Sequence, residues 1–229
     1  MNGIGPNFLP SIRPTLTAAL AACAIACCAS TASTQTGGIM VAVDRMAIGA
    51  APEGFQFART GQGAPALWKV TADATAAGGR AIEQISTDRT DYRFPLAIHD
   101  ASKAANVDVT LRFKAIAGKV DQAGGIAVRV RDPENYYVVR ANALEDNVRF
   151  YRVVRGRREQ LEGANIRVTP NEWHTLGLRA EGERFTITYD GKTLYSATDK
   201  TFTGVGKIAL WTKADSVTRF DQIRVTTLP

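Results

Sequence analysis

The chain has 229 residues, 45% of them hydrophobic and 22% charged, which excludes a disordered or collagen-like polymer. Twenty-eight Lys and Arg against 22 Asp and Glu leave a modest net charge of +6, and 2 His with 3 Cys supply little for a structural zinc site. Cys23, Cys27 and Cys28 cluster near the amino terminus, so any folded part beyond them is held by its core and not by a disulfide.

The first 14 residues hold one charge, Arg13, and residues 15–29 are apolar and small. That run is shorter than the roughly 20 apolar residues a spanning helix needs. A positive start and a small-residue end read as a secretory signal. Leu20-Ala21-Ala22-Cys23 resembles the bacterial lipobox, which implies cleavage before Cys23 and lipidation of its thiol. Plain cleavage after Ala26 or near Ala29 is an alternative, and an inert segment is a third. On the lipoprotein reading, residues 1–22 are the signal peptide and residues 23–37 a flexible tether, small and polar over Ser30–Thr36. Residues 38–229 are then one domain. The expected partner on this side is a membrane, reached through the lipid anchor. Ala24 after Cys23 implies, by the same resemblance, the outer membrane; otherwise the protein is periplasmic or secreted.

From Gly37 onward the pattern is β. Thr71–Ile82 is rich in Ala, but Gly78-Gly79 argues against a helix there. Val107, Val109, Leu111 and Phe113 alternate with Asp108, Thr110, Arg112 and Lys114, which predicts a half-buried strand over Val107–Ile116. Gly125–Arg131 repeats the alternation, placing Ile126, Val128 and Val130 inward and Arg129 and Arg131 outward. Tyr136–Asn142 and Asn147–Val154 are rich in β-branched and aromatic residues. Trp173–Ala180, Arg184–Tyr189, Thr193–Ala197, Gly206–Thr212 and Val217–Thr227 complete the predicted strands. Asp190-Gly191 is a hairpin signal, since a type I′ turn needs positive φ at both residues. Glu181-Gly182 and Arg155-Gly156 are further turns, and Asp132-Pro133-Glu134-Asn135 separates two strands. Phe220 and Ile223 have opposite parity, which points to a bulge in the last strand. Many short strands with regular turns mean an all-β sandwich or barrel.

Several blocks are specific. Gly124-Gly125-Ile126, Arg129, Asp132 and Asn135-Tyr136-Tyr137 are followed by Glu172-Trp173-His174-Thr175-Leu176, Asp190-Gly191, Gly206–Ser216 and Phe220-Asp221, with Gly54-Phe55 and Trp68 before them. Together they resemble concanavalin A-like lectin/glucanase domains of the bacterial 3-keto-disaccharide hydrolase type, also called family-16-like glycoside hydrolases, with laminin G-like domains as more distant relatives. The resemblance spans residues 50 to 226. It implies a jelly-roll sandwich of two antiparallel sheets, one of them curved, with Val217–Leu228 beside an early strand.

Among the 22 acidic residues no Glu-x-Asp-x-(x)-Glu strand occurs, the pattern that aims nucleophile and acid of a family-16 glucanase at one sugar bond. Gly-x-Ser-x-Gly is absent, and His99 and His174 stand apart, so no catalytic residue is assigned. Asp132 with Asn135 offers oxygen ligands to a structural calcium; hydrogen bonds within their turn are the alternative. No other cofactor is expected. The candidate ligand-binding residues are Arg129, Tyr136, Arg140, Asn142, Trp211 and Lys213. Alternation places the β-strand members on one outer side, where guanidinium, amide and indole groups suit a carbohydrate. Core packing of Trp211 and a solvated arginine face are the alternatives. Arg152, Arg155, Arg157 and Arg158 form a basic cluster around Gly156, read as a solvated hairpin near anionic lipid or polysaccharide; with an export signal, nucleic acid is not an expected partner. The function expected is non-catalytic carbohydrate binding at the cell envelope, with glycoside or 3-keto-glycoside hydrolysis, or a structural envelope role, as alternatives. Oligomeric state is left open.

Overall fold

The computed structural model describes residues 1–3, 5 and 38–229. The chain divides into two units, Met1–Ser33 and Thr34–Pro229, and every strand described lies in the second. Cys23 and the signal and tether boundaries lie outside the described residues. Among the described residues no helix is long and apolar enough to cross a membrane.

Among the described residues fifteen strands form two antiparallel sheets. In chain order they are β1 (Gly38–Met40), β2 (Phe55–Gly61), β3 (Trp68–Ala72), β4 (Arg80–Gln84), β5 (Arg93–Ala104), β6 (Val107–Ala117), β7 (Ala123–Asp132), β8 (Asn135–Asn142), β9 (Asn147–Val154), β10 (Arg157–Asn165), β11 (His174–Glu181), β12 (Arg184–Tyr189), β13 (Lys192–Thr198), β14 (Gly206–Trp211) and β15 (Val217–Thr227). The eight-stranded sheet runs β13-β12-β11-β6-β15-β4-β3, with β1 added to β15. The seven-stranded sheet runs β10-β9-β8-β7-β14-β5-β2. The last long strand therefore sits beside β1, β4 and β6, as the resemblance implied.

The sheets bury a common core between them. Leu111, Phe113, Leu178 and Phe220 come from the larger sheet and Ile126, Val139, Phe150 and Leu210 from the smaller. Each set follows the period of two, so burying one side of a strand sends the alternate residues outward. The bulge in β15 is present: its register with β6 shifts between Asp221 and Arg224, and Gln222 takes φ 47°. That extra residue lets Phe220 and Ile223 both reach the core despite their odd spacing. Asp190 (φ 45°) and Gly191 (φ 76°) make the predicted primed turn.

Strands β2, β4, β5 and β10 carry no clear alternation, and the alternation of β3 spans only five residues. β5 contains Pro95 and the polar pair His99-Asp100, which reads locally as a loop, yet His99 pairs with Ile208 inside the sheet. β10 is an edge strand whose Arg157, Glu159, Gln160 and Glu162 side chains face water, so tertiary pairing with β9, not hydrophobicity, makes it a strand.

Candidate functional site

The outer face of the seven-stranded sheet carries a second apolar cluster that includes Phe94, Leu96, Val138, Tyr151 and Trp211. Exposed apolar surface of this extent is costly, and here it is removed by curling the sheet. Strands β5 and β10 lie five strand spacings apart, about 24 Å in a flat sheet. Tyr92, just before β5, nevertheless donates its hydroxyl to the Gly156 carbonyl at 2.9 Å and accepts the Arg158 N–H at 2.7 Å. The Arg158 guanidinium lies over the rings of Tyr151 (4.4 Å), Phe94 (4.8 Å) and Trp211 (5.9 Å). A guanidinium–ring contact contributes about 0.5–1 kcal/mol where exposed and about 2 kcal/mol or more where desolvated. The sheet is thus rolled diagonally and latched across its own outer face.

Under the latch runs a hydrogen-bond relay. Trp211 Nε1 donates to the Tyr136 hydroxyl (3.2 Å), which contacts Thr60 Oγ1 (2.8 Å). Thr60 Oγ1 donates to the Pro133 carbonyl (2.5 Å), so Tyr136 must be the donor to Thr60. Burial pushes the Tyr136 phenol up to about 12, so it stays protonated at any ordinary pH.

Beside the aromatic roll is a polar cluster. Arg140 Nη2 donates to Glu145 Oε2 (2.7 Å) and to the Tyr151 hydroxyl (3.1 Å), and its Nη1 binds Asn147 Oδ1. Asn142 Nδ2 donates to Asp121 Oδ1 at 2.7 Å. Lys213 bridges Asp121 Oδ2 (2.8 Å) and Asp91 Oδ1 (2.7 Å). Burial raises the Asp121 carboxyl above its ordinary range against the pull of Lys213. Burial works the same way on Glu145, but the Arg140 charge together with hydrogen bonds from Asn147 and Arg140 outweighs it and holds that carboxyl low. Asp91 and half-exposed Glu145 form the rim, while Arg140 and Asp121 are 4% and 1% exposed.

The structure therefore brings five of the six candidate residues, Tyr136, Arg140, Asn142, Trp211 and Lys213, to one face. Tyr136 and Trp211 are its buried floor, not an open platform for a sugar ring. Arg129 is the exception, and its outward placement is corrected. It takes φ 51° at a register shift in β7, so the alternation reverses there. Val130 moves to the outer face with Val138, and the Arg129 guanidinium turns inward over Phe185. There it donates to the carbonyls of Ala105 (2.8 Å), Phe202 (2.6 Å) and Gly182 (2.6 Å). Opposite the bulge stands Gly206, where a Cβ would fall 2.4 Å from the Arg129 carbonyl carbon.

Asp132 and Asn135 serve their turn. Asp132 Oδ1 accepts the Glu134 N–H (2.7 Å) and Asn135 Nδ2 (2.9 Å), and Asn135 Oδ1 accepts the Arg155 N–H (3.1 Å). With these oxygens engaged, the turn reading accounts for both residues. Among the described residues no cluster of three or more His, Cys, Asp or Glu is arranged to hold a metal. Arg158 is not the solvated side chain expected of the basic hairpin, since it packs on the aromatic roll. Sequence reasoning also missed Tyr92, Phe94, Asp121, Glu145 and Asn147. The last was within reach: a hairpin closing Asn142 on Asn147 also pairs Arg140 with Arg149 and Val138 with Tyr151.

No family model and no curated protein matches this sequence. Solved structures do match in fold. The carbohydrate-binding module CBM66 of Bacillus subtilis aligns with 73% of this chain and 94% of its own length, at TM-score 0.58 and 19% identity. A Bacillus licheniformis β-glucanase aligns over 85% and 100% of the two chains, at TM-score 0.55 and 12% identity. A Bacillus subtilis protein with a galectin-like fold aligns over 70% and 89%, at TM-score 0.50 and 9% identity. With two antiparallel sheets of this order, the chain is a concanavalin A-like jelly-roll sandwich.

Proposed function

We propose that this domain binds carbohydrate at the open rim of the rolled sheet, without cleaving it, as an exported protein of the cell envelope. The observation that carries the reading is the cluster of Arg140, Asn142 and Lys213 with Glu145 and Asp91 at its rim. Cations fixed beneath two accessible carboxylates present donors and acceptors at set positions, the chemistry that reads adjacent sugar hydroxyls. The fold it shares with a carbohydrate-binding module and a glucanase supports the ligand class.

The test is calorimetric titration with soluble neutral β-glucans. Asp91→Asn with Glu145→Gln should weaken binding about tenfold, as expected for losing one or two charge-assisted hydrogen bonds, in a variant that unfolds at a lower temperature than the wild type but is still folded at the titration temperature. Wild-type affinity in that variant would remove the rim from the site.

Hydrolysis, including the 3-keto-glycoside chemistry that the sequence resemblance implies, is the second reading. It is favoured by one observation, the divergent carboxyls of Asp121 and Glu145. Against it, both Asp121 oxygens are already held by Asn142 and Lys213, which leaves no proton to deliver. Reducing ends released from β-glucan by the wild type but not by Glu145→Gln would establish hydrolysis.

A further inference from the structure

A second site lies at the other end of the β9–β10 hairpin. Arg152, Arg155, Arg157, Arg158, Glu159 and Thr201 line an open cavity of about 790 Å³. Arg152 is neutralised: it pairs with Glu159 (2.9 Å) and Asp199 (2.8 Å) and reaches Thr201 Oγ1 (3.2 Å). Arg155, Arg157 and Arg158 have no carboxylate within 4 Å among the described residues. The Arg158 guanidinium turns to the opposite face of β10, over the aromatic roll, so the two unneutralised guanidiniums left on this concavity are Arg155 and Arg157. Like charges gathered this way repel one another, and an oxyanion relieves that repulsion while accepting forked hydrogen bonds.

We propose that this cavity is an anion subsite that takes the carboxylate or sulfate group of an acidic saccharide. The lining selects among oxyanions. Val154 is its one apolar member, so no surface receives the acyl chains of a lipid, and no aromatic ring lines it to stack a nucleobase. Glu159 and the Thr201 hydroxyl supply acceptors and a donor for sugar hydroxyls beside the anion. The inference rests on the carbohydrate reading for the class of ligand. It adds that the glycan is charged and that Arg155 and Arg157 read the charge.

The experiment is titration of the full chain with polygalacturonate and with the same polymer fully methyl-esterified, which keeps the sugar and removes the charge. Polygalacturonate is expected to bind at least about tenfold tighter, the worth of one or two charge-assisted contacts. Its affinity should fall steeply with added salt, and the ester's should not. Arg155→Gln with Arg157→Gln should remove the acidic preference while leaving ester and β-glucan binding unchanged. Equal affinity for acid and ester, or a double variant that keeps the preference, would overturn the anion subsite and leave the neutral rim standing. Binding of anionic phospholipid vesicles in place of polygalacturonate would overturn it as well. Binding of no glycan at all would bring down the rim reading together with it.

Discussion

Arg129 shows how one residue can be read correctly in identity and wrongly in place. Its spacing in the β7 alternation sends it outward, but positive φ at Arg129 reverses the parity and drives a guanidinium into the interior. Burial disfavours its charged form and draws its pKa down, yet it has three carbonyls and a ring to satisfy it. These carbonyls belong to segments distant in sequence, so the side chain acts as a clamp. Arg129→Ala leaves them unmet and should cost about 3 kcal/mol or more in urea unfolding. Arg129→Lys should recover only part of that, because one ammonium cannot reach three divergent acceptors. Full recovery by Lys would show that the charge matters and the fork does not. Arg140 behaves likewise: buried and bonded to Glu145, Asn147 and Tyr151, it is a support of the rim, which is why rim carboxylates make the cleaner binding test.

At the scale of elements, the latch between Tyr92 and the β10 hairpin decides the shape of the site. A flat seven-stranded sheet would leave Phe94, Trp211 and Tyr151 in water; rolled, it buries them under Arg158. Tyr92→Phe keeps the ring against Phe94 and removes both latch hydrogen bonds. It should cost about 1 kcal/mol and speed amide exchange at Arg158. Unchanged exchange there would mean that Arg158 stacking alone holds the roll. The strands that frame the latch explain what was readable beforehand. β6 and β12 announce themselves by alternation, because one of their faces meets the core, and β8 and β9 by β-branched and aromatic runs, because both of their faces are covered. β10 does not, because its polar residues are set by the edge position it occupies.

Across the whole molecule, charge on the eight-stranded sheet ties distant segments together. Asp73, in the turn after β3, binds Lys114 of β6 (2.5 Å) and Arg219 of β15 (3.0 Å), and accepts the Thr75 N–H and hydroxyl. Burial works to raise its pKa, but these partners outweigh burial and hold the carboxyl well below its ordinary 3.8. A carboxyl depressed in the folded state stabilises above its unfolded pKa and loses that contribution as the pH falls through its folded value. Stability should therefore decline steeply as the pH drops below 3.8, and Asp73→Asn should flatten that decline. Parallel acid unfolding curves for the two proteins would refute it. The proposed lipid anchor belongs to this scale too. Cys23→Ser should release the protein from membranes into the soluble fraction, and continued membrane retention would rule out lipidation at that residue.

By itself the sequence determined the class of the fold and most of its strands, because alternation, primed-turn dipeptides and β-branched runs are local consequences of having one or both faces buried. It also determined which residue types gather in the β7–β8 and β14 blocks that build the site. Only the tertiary structure decided which way Arg129 points, that Tyr136 and Trp211 lie beneath the surface, and that Tyr92, Asp121 and Glu145 join them. Those outcomes depend on a one-residue bulge and on the curl of a whole sheet. Both are set by packing between segments far apart in the chain, and neither leaves a periodic mark in the amino-acid order.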